Sequence, residues 1–187
     1  MAVARSDIPA GPGAGQSAWW LLGTLGAIAA CSSHSKPANV VPSAANTTLI
    51  DSQGRRLGTA AVVPSKSGGL LVLKLTGVPP GEHGLHLHAT GACDPPSFAS
   101  AGPHYNPTNR KHGAKNPQGP HAGDLPNVVA RPDSSIDTTL AIPAEAVSAI
   151  GSGTAARALV LHAQRDDLMT DPSGNSGNRI ACGVLQR

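Results

Sequence analysis

From Asn46 onward, short apolar and β-branched runs alternate with clusters of glycine, proline and polar residues. The clearest run covers residues 70–76, where Leu71, Leu73 and Leu75 recur at every second position, the period of a strand with one buried face. Eight runs of this kind predict strands at 47–51, 57–64, 70–76, 83–90, 127–130, 134–142, 156–163 and 179–185. The segment 144–150 is either a helical turn or a loop. Short strands with long connections predict an all-β antiparallel fold, either a sandwich or a Greek-key barrel.

Two long polar segments interrupt this pattern, at residues 91–125 and 164–178. Neither shows periodicity, and both are rich in glycine, proline and asparagine. A connection longer than about 15 residues in a compact domain is uncommon unless it serves a function. The first segment contains a cysteine and three histidines, so we expect these loops to build the functional site.

The N-terminal region has the features of an export signal. Residues 18–30 form an apolar run of 13 residues, which is too short to span a bilayer and suits the core of a signal peptide. It ends in Ile28-Ala29-Ala30-Cys31, which resembles a bacterial lipobox and implies cleavage before Cys31 and lipidation of that cysteine. The alternative is an ordinary secretory signal with an incidental cysteine. Both interpretations predict export to the periplasm or cell envelope. We therefore expect a signal peptide over 1–30, a flexible tether over 31–45 and one folded domain over 46–187.

Composition narrows the choice of fold and partner. The 187 residues include 22 glycines and 17 prolines, which disfavours a helical bundle. Aromatic residues make up only 2%, so the core must be aliphatic. The net charge of +3 comes without the clusters of lysine and arginine that bind nucleic acid, and it favours a small anionic ligand instead.

The histidines predict a metal centre. His86 and His88 are two residues apart on a predicted strand, so their rings point to the same face about 7 Å apart. His162 ends a strongly apolar strand. Imidazole binds copper as well as zinc, and carboxylate adds a further zinc ligand. Six histidines and one aspartate exceed the four ligands of one ion, which favours two ions with a shared ligand. The candidate ligands in the first loop are His104, His112, His121 and Asp124.

Several motifs then identify a family resemblance. The chain resembles the copper/zinc superoxide dismutases over about residues 46–187, and the export signal is similar to that of the bacterial periplasmic branch. This resemblance implies an eight-stranded antiparallel Greek-key barrel, related to immunoglobulin-like sandwiches. It also implies the disproportionation of superoxide to O₂ and hydrogen peroxide, a reaction that protects the cell envelope. The motifs, in family order, are Gly84-Leu85-His86-Leu87-His88, 101–107, Lys111-His112-Gly113, 121–125, Leu161-His162 and 179–184.

The resemblance also implies a role for individual residues. The implied copper ligands are His86, His88, His104 and His162, and the implied zinc ligands are His104, His112, His121 and Asp124, with His104 shared. Catalytic roles fall to Arg179, beside the copper, and to His104, which carries a proton to the product. Asp166 is implied to bridge ligand histidines of both sites, with Asp167 beside it as an alternative. His83 is implied to be structural.

The cysteines and charged loops complete the expectations. The resemblance implies a disulfide between Cys93 and Cys182. The third cysteine, Cys31, is the expected site of the lipid. The segment 168–178 lacks the charged cluster of the eukaryotic guiding loop, so steering of the anion is expected from other charges, such as Arg110, Lys111 and Lys115. The sequence is compatible with both a monomer and a homodimer.

Two other functions are compatible with a metal-binding barrel of this kind. One is a copper-handling protein that keeps the fold without turnover. The other is a barrel with structural zinc only. The complete copper ligand set argues against both, and Arg179 argues further against the first.

Overall fold

All eight predicted strands form, although the fifth begins at Asp124 and not at residue 127 as predicted. The structure, a computed structural model, describes residues 45–151 and 155–186. Within these residues it has eight strands, one helix and one 3-10 turn: β1 (Ala45–Asp51), β2 (Arg56–Ser65), β3 (Gly68–Thr76), β4 (Gly81–His88), the turn (Ala99–Ala101), β5 (Asp124–Ala130), β6 (Ser135–Ile142), α1 (Ala144–Gly151), β7 (Arg157–His162) and β8 (Arg179–Leu185). The prediction of an eight-stranded antiparallel fold is confirmed, and the segment at 144–150 is a helix.

The strands form one sheet that curls into a nearly closed barrel. Their order is β5-β4-β7-β8-β1-β2-β3-β6, and every neighbouring pair is antiparallel. The outermost strands of this order, β5 and β6, are consecutive in the chain and lie against each other. The neighbours β4–β7 and β8–β1 are far apart in sequence, which produces the Greek-key crossovers.

The barrel interior is aliphatic, as the shortage of aromatic residues predicts. Leu71, Leu73 and Leu75 are at most 2% exposed, which confirms that they share the buried face of β3. Leu159 and Leu161 of β7 face the same core. At about 25 cal/mol per Å² of apolar surface removed from water, such burial is the main force that holds the strands together. Within residues 45–151 and 155–186, no helix combines the length and apolar character required to cross a bilayer.

A smaller apolar cluster lies on the outside of the barrel. Phe98 and Ala101, from the loop after β4, pack with Ala158 and Val160, the β7 residues that alternate with the core leucines. Cys182 of β8 belongs to this cluster and forms a disulfide with Cys93, with Cα atoms 5.6 Å apart. Strand β7 is therefore buried on both faces, which explains its continuous apolar sequence. The implied Cys93–Cys182 disulfide is present.

The expected signal peptide and most of the expected tether lie outside the described residues. The same holds for Cys31, the expected site of lipidation. These expectations stay predictions.

Candidate metal centre

The predicted ligands come together on the outer surface of the barrel. His86 and His88 lie on β4, where the intervening residues Leu85 and Leu87 face the core and alternation turns both imidazoles outward. The centroids of these two rings are 6.5 Å apart, close to the spacing expected for positions i and i+2 of a strand. The six candidate histidines are at most 7% exposed. The others are His104, His112 and His121 in the β4–β5 loop and His162 at the end of β7, and the candidate aspartate, Asp124, begins β5.

Four of these histidines form the four-histidine cluster: His86, His88, His104 and His162. Their donor atoms all lie within 4.8 Å of one another. The Nδ1 atoms of His88 and His162 face the backbone oxygens of Gly102 at 2.8 Å and Gly177 at 3.1 Å. A carbonyl oxygen only accepts, so these Nδ1 atoms carry the proton and each Nε2 presents a lone pair. In His86 the two nitrogens exchange these roles: Nε2 faces the carboxylate of Asp166 and carries the proton, and Nδ1 presents the lone pair.

Three ring nitrogens in this cluster have no hydrogen-bond partner in the described part of the chain. They are Nδ1 of His86 and the Nε2 atoms of His88 and His162, and all three are buried. Buried polar atoms are almost always paired, because an unpaired one loses its hydration without compensation. Lone pairs that converge within a few ångströms suit a cation, and imidazole nitrogens suit copper or zinc. The donor set therefore fits the implied copper ion.

The other three ligands, together with His104, form the three-histidine–aspartate cluster: His104, His112, His121 and Asp124. Oδ1 of Asp124 lies 2.9 Å from Nδ1 of His104, 3.0 Å from Nδ1 of His112 and 3.2 Å from Nδ1 of His121. Ligands about 2.05 Å from a tetrahedral zinc ion are separated from one another by about 3.3 Å. The geometry thus fits the implied zinc ion. Asp124 is oriented through Oδ2, which accepts hydrogen bonds from the backbone N–H groups of Gly113 at 2.8 Å and His121 at 2.9 Å.

His86 and His104 lie where the two clusters meet, and both are close to donors of each cluster. A second group of donors within 4.8 Å of one another contains His86, His104, His112 and Asp124, with His86 in the place expected for His121. However, Nε2 of His86 is 2.7 Å from Oδ2 of Asp166, which leaves only its Nδ1 as a donor. Nδ1 of His121 is 3.5 Å from Nδ1 of His104. His104 directs Nδ1 toward this second cluster, so its Nε2 is left for the first.

Asp166 connects the two clusters. One carboxylate oxygen is 2.7 Å from Nε2 of His86, and both oxygens lie 3.0–3.1 Å from Nε2 of His112. The side chain is fully buried. Its neighbour Asp167 instead accepts bonds from backbone N–H groups of an exposed turn, at 2.8 Å, so the structure separates the two aspartates that the sequence leaves open. Asn127 of β5, which sequence reasoning missed, holds the Asp166 backbone by two hydrogen bonds of 2.8 and 2.9 Å.

The surroundings set the protonation of the ligands. Burial lowers the pKa of His88 to about 2, of His162 to about 3 and of His104 to about 4, because the imidazolium loses its hydration there. These rings are neutral near pH 7, as metal binding requires. Burial also opposes protonation of His112, but hydrogen bonds to Asp124 and Asp166 raise its pKa to about 9. His112 is therefore protonated in the metal-free protein and must release a proton when it binds a metal.

Arg179 lies at the mouth of the four-histidine cluster. Its Nη1 donates to the Phe98 oxygen at 2.6 Å and its Nη2 to the Gly102 oxygen at 2.7 Å, which fixes the plane of the guanidinium. Together with His88, His104 and His162 it lines an open cleft of about 1020 Å³. A fixed cation at the open side of the copper donors can hold a small anion at the metal.

The non-ligand groups are also placed. The ring nitrogens of His83 lie 2.7 and 2.8 Å from backbone oxygens, and neither faces a cluster. Arg110 and Lys111 line a second cleft of about 650 Å³ that shares His104 with the first. Lys115 lines neither cleft.

Comparison with known proteins agrees with this site. The family model for copper/zinc superoxide dismutase (SODC) matches residues 56–185. The chain is 40% identical over 149 residues to "Superoxide dismutase [Cu-Zn] 2" of Aquifex aeolicus, an alignment that covers 76% of this chain and 86% of that protein. It is 36% identical over 139 residues to "Superoxide dismutase [Cu-Zn]" of Caulobacter vibrioides, covering 71% and 80%. The chain belongs to the copper/zinc superoxide dismutase family.

Solved structures show the same fold. A superoxide dismutase-like protein from Bacillus subtilis superposes with a TM-score of 0.69 at 35% identity, covering 75% of this chain and 97% of that one. The Cu/Zn superoxide dismutase from Brucella abortus superposes with a TM-score of 0.63 at 26% identity, covering 75% and 98%.

Proposed function

We propose that this protein, when loaded with copper and zinc, disproportionates superoxide to O₂ and hydrogen peroxide. The observation that carries this proposal is the sharing of His104 between two converging donor sets. We assign copper to Nδ1 of His86 and to the Nε2 atoms of His88, His104 and His162. We assign zinc to the Nδ1 atoms of His104, His112 and His121 and to Oδ1 of Asp124.

The protein's own groups then have distinct tasks. Copper supplies one-electron redox chemistry when bound, and zinc supplies a fixed positive charge. Arg179 holds the superoxide anion at the open side of the four-histidine cluster, because its guanidinium is fixed by two carbonyl oxygens. When Nε2 of His104 is not bound to copper it would hold the proton that the product requires, since Nδ1 of the same ring remains directed at Asp124. Asp166 orients His86 and His112 from behind.

A copper-handling protein without turnover is the second candidate. The observation in its favour is the four-histidine cluster, whose converging donors could hold copper in a protein without turnover as well. The complete donor set and the position of Arg179 in the cleft favour the enzyme instead. The two candidates predict the same metal content and differ only in turnover.

The test is superoxide decay with the full chain loaded with copper and zinc. We expect fast decay that is lost on chelation and in His162→Ala, which lacks one copper donor. Metal content is measured for each sample. Asp167→Asn is a control, because Asp167 follows His162 by five residues but contacts neither cluster. Binding of one copper and one zinc per chain without catalysed decay would favour the metal-handling alternative.

We also propose that the protein is exported and held at the cell envelope by a lipid on Cys31. The apolar run and the Ile28-Ala29-Ala30-Cys31 motif support this proposal. The disulfide between Cys93 and Cys182 suits an oxidising compartment. In Cys31→Ala we expect the protein to leave the membrane fraction. Mass spectrometry of the mature N-terminus tests the modification directly, and light scattering distinguishes a monomer from the homodimer that the sequence leaves open.

A further inference from the structure

Asp171 connects the second long loop to the loop that carries the zinc donors. Its Oδ1 accepts a hydrogen bond from the backbone N–H of His112 at 2.7 Å, and its Oδ2 accepts one from Nζ of Lys111 at 3.2 Å. The same Oδ1 lies 3.9 Å from Nε2 of His121. One carboxylate thus contacts two residues of the three-histidine–aspartate cluster, and neither the sequence motifs nor the family resemblance singled it out.

These contacts act on features that determine zinc binding. In His121, Nδ1 faces Asp124, so Nε2 is the nitrogen left to carry the proton. A carboxylate at 3.9 Å favours the proton on Nε2 and keeps the lone pair on Nδ1, because negative charge attracts the N–H dipole. In His112, the bond to the backbone N–H fixes the position from which the ring reaches both Asp124 and Asp166.

Two other bonds between the two loops reach no metal-ligand side chain. The backbone N–H of Lys115 donates to the Leu168 oxygen at 2.9 Å, and Nδ2 of Asn116 donates to the Met169 oxygen at 3.1 Å. Asn116 therefore ties the same loops together without touching a ligand. It offers a control that separates general stiffening of the loops from an action on the ligands themselves.

We propose that Asp171 is a positioning residue for the three-histidine–aspartate cluster. It fixes His112 through the backbone and selects the tautomer of His121, and both effects increase the affinity for zinc. The proposal rests on the zinc assignment made above. It differs from the role of Asp166, which contacts a histidine of each cluster, because the contacts of Asp171 lie on the zinc side alone.

The experiment measures the zinc dissociation constant of the full chain by competition with a chromophoric chelator. Loss of a group that orients a metal ligand weakens metal binding by about 10- to 100-fold. In Asp171→Asn we expect zinc to bind about tenfold more weakly, at the low end of this range, because the Asp171 side chain is 37% exposed. Asp171→Glu keeps the charge and should lose less. Asn116→Ala should stay within about twofold of the parent, and copper affinity should stay within about twofold in all variants.

A spectroscopic readout accompanies the affinities. Co²⁺ in the zinc site has visible absorption bands that depend on ligand geometry, and we expect these bands to change in Asp171→Asn but not in Asn116→Ala. The proposal is overturned if Asp171→Asn binds zinc as tightly as the parent, or if Asn116→Ala loses as much. A parent chain that binds zinc no better than Asp124→Asn would overturn the zinc assignment as well. Asp171→Glu carries the test if Asp171→Asn does not fold.

Discussion

Gly174 occupies the space behind the Asp166 carboxylate, and replacing it by alanine tests how the two clusters are held. Its φ is +65°, a left-handed conformation in which an L side chain is strained. A Cβ at this position would overlap the carboxylate of Asp166 and lie 2.7 Å from Nε2 of His112. Alanine must therefore displace Asp166 from its place between His86 and His112.

The size of the effect follows from two contributions. The left-handed conformation costs alanine about 1–2 kcal/mol. Overpacking in a tightly packed environment adds about 1–3 kcal/mol, for a total of about 2–5 kcal/mol. Gly54 is a matched control, because its φ is +78° but a Cβ there meets nothing within 4 Å. Gly54→Ala should lose only the first contribution, so the difference between the variants measures the crowding of Asp166.

Two assays are needed. Denaturant unfolding of the metal-free protein gives the free energy of unfolding for each variant. Metal competition gives the affinities, which we expect to fall about 10- to 100-fold for both copper and zinc in Gly174→Ala, since Asp166 contacts a histidine of each cluster. Gly54→Ala should bind both metals as the parent does. Equal losses of stability in the two variants, with unchanged metal affinities in Gly174→Ala, would refute the role given to the Asp166 contact.

Three further predictions concern the arginine, the disulfide and pH. Arg179→Lys cannot make both carbonyl contacts, so with unchanged metal content we expect superoxide decay to slow about tenfold or more and azide inhibition to weaken; parent-like kinetics would contradict this. Replacing Cys93 and Cys182 by serine opens a link across 89 residues, which should lower the free energy of unfolding by about 4–5 kcal/mol in denaturant titrations; a loss below about 1 kcal/mol would contradict the chain-entropy estimate. The pKa of His112 is raised to about 9 from 6.5, so its contribution to metal-free stability is complete below pH 6.5 and is lost as pH rises through 9. Unfolding titrations should show this decline in the parent and not in His112→Gln.

The sequence predicted what depends on local pattern. Alternating leucines marked β3, and the placement of histidines on strands and in the first long loop, together with the family resemblance, marked the candidate ligands. It placed the start of β5 too late, because Asp124-Leu125-Pro126 has no strand pattern of its own, and the pairing of Asp124 with His86 across the ladder makes it a strand. It left Asp166 and Asp167 as alternatives because adjacent identical residues differ only in where the fold points them.

Some functional residues carried no sequence signal. In the sequence, Asn127 looks like any polar residue at the surface of a strand. Its two hydrogen bonds to Asp166 form only because the second loop folds against β5. Asp171 likewise resembles a loop aspartate until the first loop is placed beside it. The choice between Nδ1 and Nε2 in each histidine also depends on partners far away in sequence, such as Gly102 for His88 and Gly177 for His162.

The carbonyl oxygen of Gly102 accepts hydrogen bonds from both His88 and Arg179, at 2.8 and 2.7 Å. The ring that faces the redox metal and the cation that attracts the substrate are thus attached to one peptide group. A shift of this peptide changes ligand geometry and anion affinity together. A substitution that moves this peptide is therefore expected to change the reduction potential and the capture of substrate together. Loop variants that gain faster capture by moving residue 102 should carry a correlated change in potential, whereas substitutions that leave residue 102 in place should not.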